Sequence, residues 1–103
     1  MATCVWTGKS GKNYEYTIYS MDTAWYDVAG NYIFAREASP GKWSAIYIGE
    51  TESFKDRLPN HEQLPCIRRN GGTHVHAHVN ADSKARLAEE SDLLANYSTP
   101  CNG

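Results

Sequence analysis

Residues 31–50, NYIFAREASPGKWSAIYIGE, contain two apolar runs separated by a turn signal. The first run covers 31–36 and the second 43–48, and both are rich in the aromatic and β-branched residues that favour strands. Between them, the Pro40–Gly41 pair favours a reversal of the chain. This stretch therefore predicts a β-hairpin, around which the rest of the domain is arranged.

Two further segments have the alternating pattern of strands. Residues 14–19 (YEYTIY) precede the hairpin, and residues 73–79 (THVHAHV) follow a predicted turn at 68–72 (RRNGG). Together with the hairpin they provide four strands.

Two helices are predicted after the hairpin. Ser53 is a suitable N-cap for a short helix over 54–58, which Pro59 interrupts. Asp82 or Ser83 is a suitable N-cap for a helix that runs to about residue 96. The predicted order is β, β, β, short α, β, α, which is typical of an α+β domain with an antiparallel sheet flanked by helices.

Composition limits the class of protein. The 103 residues predict a single domain over 1–103, and the formal charge of −2 gives no general electrostatic argument for nucleic acid. The three cysteines are odd in number and widely spaced, so we expect no disulfide framework and a reducing, cytoplasmic location. No signal peptide, membrane span or organic cofactor motif is predicted.

The histidine-rich strand has two interpretations. His74, His76 and His78 share one face of the strand, while the alternate residues are apolar, so a strand with one polar face explains the pattern. The three side chains span roughly 13 Å, so one ion could not bind all three. Two of them with Cys66 could bind zinc, and the face could also lie near a substrate.

Two short segments before the last helix carry candidate chemistry. In AIYIGET (45–51), Gly49 ends an apolar strand and permits close approach of another group. In RLPNH (57–61), Arg57 and His61 are suited to phosphate binding and proton transfer, although a solvated helix face explains them as well. A bulge glycine in a core strand equally explains Gly49.

The last helix offers a carboxylate at its apolar edge. Glu90 lies between Leu87 and Leu94 at helical spacing, so we expect it to face the sheet and Glu89 to face away. A surface ion pair between Glu90 and Arg86 is the alternative.

The combination of these segments resembles the GIY-YIG nuclease family. Gly30-Asn31-Tyr32 and Tyr47-Ile48-Gly49 stand where the family's two sequence motifs stand. The remaining matching positions are Arg57, His61, Glu90 and Asn102, and the resemblance covers residues 30–102. The chain is similar to the nuclease modules of the bacterial excinuclease and of the GIY-YIG homing endonucleases. Residues 14–20 would be a strand added before the family's core. Asn31, in place of an apolar residue, and Pro59 depart from the family pattern.

The resemblance implies hydrolysis of nucleic-acid phosphodiesters with one Mg²⁺ or Mn²⁺ ion. Tyr32 and Tyr47 would line the site and help to deprotonate water, and Arg57 would stabilise the phosphate charge. His61 would bond a tyrosine or relay a proton, and Glu90 would hold the metal. Structural roles would fall to Gly30, Gly49 and Asn102.

DNA is the expected substrate, with RNA as the alternative. The candidate contacts to phosphate are the basic residues Arg36, Lys42, Lys55, Arg57, Arg68 and Arg69, with His76 on the polar strand face as a further candidate contact. Two other functions fit the sequence. One is a GIY-YIG-like binding module without catalysis, and the other is a structural zinc protein using Cys66, His74 and His76.

Overall fold

The computed structural model describes residues 2–103 as an α+β fold with one antiparallel sheet. The elements follow the chain in this order: β1 (Thr3–Thr7), β2 (Asn13–Ser20), β3 (Gly30–Ser39), β4 (Lys42–Thr51), α1 (Phe54–Arg57), α2 (Leu64–Arg69), β5 (His74–Val79) and α3 (Ser83–Asn96). The five strands lie in the order β1-β2-β5-β3-β4, and each neighbouring pair is antiparallel. The predicted fold class is confirmed.

The hairpin predicted from residues 31–50 is the β3–β4 pair. Gly41 lies in its turn with φ of +75°, a left-handed conformation that glycine adopts without strain. Tyr32 pairs with Gly49, and Phe34 pairs with Tyr47. β3 is an interior strand, and β4 forms one edge of the sheet.

Side chains alternate between two faces of the sheet. The first face carries Tyr32, Phe34, Val75 and Ala77, which pack with α1, α2 and Cys101. The second face carries Ile33, Ala35 and Ile48, which pack with Leu93 of α3 and with Trp6 and Tyr16 of the N-terminal hairpin. Each face therefore has its own core.

The sequence prediction missed two elements. β1 is only five residues long, and its one buried side chain is Trp6, so it lacks the long alternation that marks a strand. α2 covers residues that we expected to lead into the 68–72 turn, and it also includes Arg68 and Arg69, the first two residues of that predicted turn. Its first turn contains Pro65, which is tolerated there because the first N–H groups of a helix have no intrahelical partner.

The other helices begin where predicted. The Ser53 hydroxyl accepts a hydrogen bond from the backbone N–H of Asp56, and the Asp82 carboxylate accepts from those of Lys84 and Ala85. None of the helices formed by residues 2–103 has the length and apolarity needed to cross a membrane.

We expected no disulfide framework, but two of the three cysteines are bonded to each other. Cys66 of α2 is bonded to Cys101 of the C-terminal tail, across a sequence separation of 35. Cys4 is free and half-buried. Wide spacing in sequence concealed the pair because α2 and the tail meet only through the tertiary fold.

Candidate functional site

Tyr32 is the centre of a ring cluster on the first face of the sheet. Its side chain is 1% exposed, and its hydroxyl lies 2.8 Å from Nε2 of His61. The His61 ring also makes edge contacts with Phe34 and Tyr47, at centroid distances of 5.3 and 4.6 Å. The segment after α1 therefore folds back over β3 and β4 and brings His61 to the two predicted tyrosines.

Gly49 makes room for the tyrosine pair. Tyr32 and Tyr47 stack with centroids 6.0 Å apart and an interplanar angle of 17°. A Cβ on Gly49 would lie 2.6 Å from the Tyr32 hydroxyl and 2.9 Å from the Tyr47 ring. Gly30 is similarly confined, because a Cβ there would collide with the His78 carbonyl oxygen and the Phe54 ring. Close approach therefore explains both glycines.

The hydrogen bonds of His61 determine its tautomer. Its Nδ1 accepts a hydrogen bond from the backbone N–H of Gln63. A neutral ring that accepts at Nδ1 carries its proton on Nε2, so His61 donates to the Tyr32 hydroxyl. Burial, reinforced by the charge of Arg57, lowers the pKa of His61 to about 4, so the ring is neutral at pH 7. His61 thus orients Tyr32 and does not accept its proton.

The Tyr32 hydroxyl stays protonated in this setting and is not available as a base at neutral pH, because its pKa is raised. Burial raises the pKa of its hydroxyl, and Tyr47 adds to the rise, while the Arg57 guanidinium opposes it. Tyr47 is half-buried and so is the more accessible of the two tyrosines. A water molecule approaching the cluster would meet Tyr47 before Tyr32.

Arg57 is close to Tyr32 and also partly open to solvent. Its guanidinium donates to the Glu62 carboxylate at 3.1 Å, and the two side chains are 33% and 70% exposed. Exposed pairs of this kind contribute little to stability, so a phosphate could take the place of Glu62. The fold therefore brings Tyr32, Tyr47, Arg57 and His61 close together.

Glu90 lies apart from these four residues, at the free edge of β4. The Ile48 N–H and C=O both bond to the Asn102 side chain, at 2.8 Å each. Since these two backbone groups point away from β3, Glu50 two residues later also directs its N–H to the free edge. Burial and the Glu50 charge raise the pKa of Glu90, and the Glu50 N–H beside it opposes the rise only in part, so the net pKa is raised.

The prediction that Leu87, Glu90 and Leu94 form the face of α3 that packs on the sheet is wrong. Leu87 and Leu94 are exposed, and the buried residues are Arg86, Glu89 and Leu93. α3 packs on the second face, whereas the tyrosines lie on the first, so the edge strand β4 separates Glu90 from the tyrosine cluster. No hydrogen bond among residues 2–103 joins it to the tyrosine cluster.

The Glu90–Arg86 pair that we considered is not formed. Arg86 is 3% exposed and donates to the Glu50 carboxylate at 3.0 Å and to the Asn80 carbonyl oxygen at 3.0 Å. Asn31, the departure in the first motif, is fully buried and donates to the Arg86 carbonyl oxygen at 2.9 Å. Asn31 thus holds α3 against β3, which an apolar residue could not do by hydrogen bonding.

Glu89, which we expected to face away, is the buried carboxylate of α3. It is 4% exposed, and it accepts hydrogen bonds from the Tyr16 hydroxyl at 2.5 Å and from Nδ1 of His78 at 3.0 Å. The apolarity of Leu87 and Leu94 suggested the wrong face, because burial of charged side chains depends on partners far away in sequence.

The three histidines of β5 have separate partners. His76 is fully buried, and its Nδ1 accepts a hydrogen bond from the Trp6 indole at 2.9 Å. His78 bonds Glu89, and His74 lies 2.9 Å from the Thr73 hydroxyl. Within residues 2–103, no group of three His, Cys, Asp or Glu side chains is arranged to hold a metal ion. Cys66 packs on the opposite face in its disulfide and does not join them.

The candidate nucleic-acid contacts differ in accessibility. The exposed ones are Arg36, Lys42, Lys55, Arg68 and Arg69. Arg36 lies against Gly71, next to the end of α2 that carries Arg68 and Arg69. The prediction that His76 contacts nucleic acid is wrong, because the core of the second face covers its side chain completely.

No protein-family model, curated protein or solved structure matches the chain.

Proposed function

We propose that the protein is a metal-dependent endonuclease of GIY-YIG type that hydrolyses phosphodiester bonds in DNA. The observation that carries the proposal is the convergence of Tyr32, Tyr47, Arg57 and His61 on one face of the sheet. These residues are spread over 30 positions of the chain, and the resemblance to the family assigns all four to one site.

Arg57 and Tyr47 supply the accessible part of the site. A phosphate displaces Glu62 from the guanidinium, which then neutralises charge that builds up on the phosphoryl oxygens. Water attacks the phosphorus in line with the departing sugar oxygen, and Tyr47 orients that water. The water loses its proton to solvent, and the sugar oxygen leaves with the electron pair of the broken P–O bond and takes up a proton from solvent. Buried Tyr32, held by His61, fixes the position of Tyr47 through ring stacking.

The residues at the edge of β4 suit a magnesium or manganese ion. The net rise in the pKa of Glu90, to which burial and the Glu50 charge contribute, is the sign of a carboxylate that nearby positive charge would stabilise. Mg²⁺ prefers oxygen ligands and keeps several waters, so Glu90 is sufficient as the main ligand, with Glu50 beside it. The ion would supply charge neutralisation and a more acidic bound water.

Cleavage of labelled DNA in Mg²⁺ and in Mn²⁺ tests the proposal. Arg57→Ala is expected to lower kcat/KM about a hundredfold or more, as loss of a preorganised charge in a site does. Tyr47→Phe, which removes only the hydroxyl, is expected to lower kcat with little change in KM. Glu62→Gln is the matched control, because it removes the exposed partner of Arg57 and leaves the site residues in place. Unaltered activity in both site variants, with native circular dichroism, would overturn the proposal.

A binding module without catalysis is the second candidate. It is favoured by the burial of Tyr32 and His61, which are 1% and 3% exposed, and by the separation of Glu90 from them. Salt-sensitive DNA binding in EDTA, with no cleavage in either metal, would select it. RNA is the alternative substrate in both cases. The cytoplasmic location is also a prediction, and the Cys66–Cys101 disulfide weighs against a strongly reducing compartment.

A further inference from the structure

A cavity of about 470 Å³ opens on the first face of the sheet, and no role described above uses it. Phe34 and Val75 form its floor, and each is 1% exposed. Trp25 and Leu64 line its walls, and Asp22 and Arg68 lie at its rim. Trp25 belongs to the connection between β2 and β3, and its ring is held by edge contact with Tyr19 at 5.0 Å.

The cavity lies beside the tyrosine cluster. Tyr47, Phe34 and Val75 are in register across β4, β3 and β5, so Tyr47 is about 10 Å, or two strand spacings, from the far side of the cavity floor. The Phe34 ring that forms the floor also contacts the His61 ring. One nucleic-acid strand can therefore reach both places.

The chemistry of the lining matches a nucleotide. Indole rings stack on the flat face of any base, and stacking of this kind dominates binding of single strands. The Asp22 carboxylate can accept hydrogen bonds from ring or exocyclic N–H groups of a base, and the Arg68 guanidinium can bind the phosphate. An aliphatic side chain of a protein partner would leave both charges without partners.

We propose that this cavity binds one unpaired base of the substrate strand, adjacent to the phosphate held at Arg57. The bases of an intact duplex are stacked and cannot enter it, so the preferred substrate is single-stranded or locally unpaired nucleic acid. The inference rests on the proposed function for the identity of its ligand.

Fluorescence anisotropy in EDTA separates binding from cleavage. The probes are a labelled single-stranded oligodeoxynucleotide and a blunt duplex of the same sequence. Trp25→Ala is expected to weaken single-strand binding about tenfold or more. Arg68→Gln is expected to weaken it severalfold, with a smaller dependence on salt. Binding of the duplex is expected to be weaker for the wild-type protein and unchanged by Trp25→Ala.

Each variant has a control. Tyr26→Ala removes a ring that is 84% exposed and does not line the cavity, and Lys84→Gln removes an exposed cation that lies outside the cavity and is not a candidate contact. Circular dichroism confirms folding, and Arg68→Gln tests the cavity even if Trp25→Ala does not fold, because Arg68 is exposed.

The outcomes distinguish the inference from the proposed function. If DNA is cleaved but Trp25→Ala and Arg68→Gln bind single strands as their controls do, the cavity has no such role and the inference falls. If single strands bind through Trp25 and Arg68 but no metal gives cleavage, the inference stands and the nuclease proposal falls. If the wild-type protein binds no nucleic acid, both fall.

Discussion

At the scale of single residues, two adjacent glutamates of α3 have opposite environments. Glu89 is buried and accepts hydrogen bonds from Tyr16 and His78, whereas Glu90 is half-buried at the edge of β4. Helix geometry correctly predicted that only one of them would face the sheet. It could not say which one, because the partners of Glu89 lie on two strands that only the tertiary fold brings together, and one of them, Tyr16, is near the other end of the sequence.

Removal of the Glu89 carboxylate is expected to destabilise the fold. Glu89→Ala leaves the fully buried Tyr16 hydroxyl without an acceptor, and we expect a loss of about 3 kcal/mol in the free energy of unfolding. Glu90→Ala is the matched control for stability and is expected to cost less than about 1 kcal/mol, the usual range for positions without such a buried partner. Urea unfolding measures both, and equal losses would contradict the assignment.

Glu90→Gln is expected to abolish metal-dependent cleavage while the fold remains intact.

Gly49 is expected to be intolerant of any side chain. A Cβ would collide with both tyrosine rings, so Gly49→Ala must displace Tyr32 and its bond to His61. Overpacking of this kind costs about 1–3 kcal/mol, and it is expected to impair cleavage beyond the loss of folded protein. Gly103→Ala, with open space around the added methyl, is the control. Thermal denaturation and cleavage rates report the two effects, and a variant that matches wild type in both would refute the steric argument.

At the scale of elements, local signals predicted some parts of the fold better than others. The hairpin around Pro40–Gly41 and the capped helix α3 were predictable because their signals lie within their own residues. β1 is held by pairing with β2 and by burial of Trp6, and α2 by packing against the tail, so neither has a strong local pattern. The same distinction applies to the site, where motif residues were identified but the position of Glu90 relative to the sheet was not.

The link between α2 and the C-terminal tail is expected to be a major source of stability. The disulfide encloses β5 and α3 in a loop of 35 residues, which in the chain-entropy account stabilises the fold by about 4 kcal/mol. The joint replacement Cys66→Ser and Cys101→Ser is expected to lower the urea midpoint accordingly, and reductant is expected to do the same to wild type. Cys4→Ser should leave the midpoint unchanged. Insensitivity of wild type to reductant would mean that the bond is absent from the purified protein.

At the scale of the whole molecule, the sheet separates two cores, and each contains a neutral histidine. His61 lies in the core of the first face and His76 in that of the second, and they are 3% and 0% exposed. His76 accepts from Trp6 at Nδ1, so its proton is on Nε2, which has no hydrogen-bond partner within the described residues. Protonation of His76 would break the bond to Trp6, and protonation of His61 would place a cation near Arg57.

The fold is therefore expected to lose stability in mild acid, because each core contains a histidine that is held neutral. Burial lowers the pKa of His61 and of His76 to about 4, from an ordinary value of 6.5. Above pH 6.5 both rings are neutral in the folded and unfolded states, so stability is complete there. Between pH 6.5 and about 4 the unfolded chain binds protons that the folded chain does not, and the free energy of unfolding falls. Urea midpoints measured across this range should decline in the wild-type protein and decline less steeply in His61→Gln. A flat profile, or an unchanged slope in the variant, would show that His61 is not held neutral by the fold.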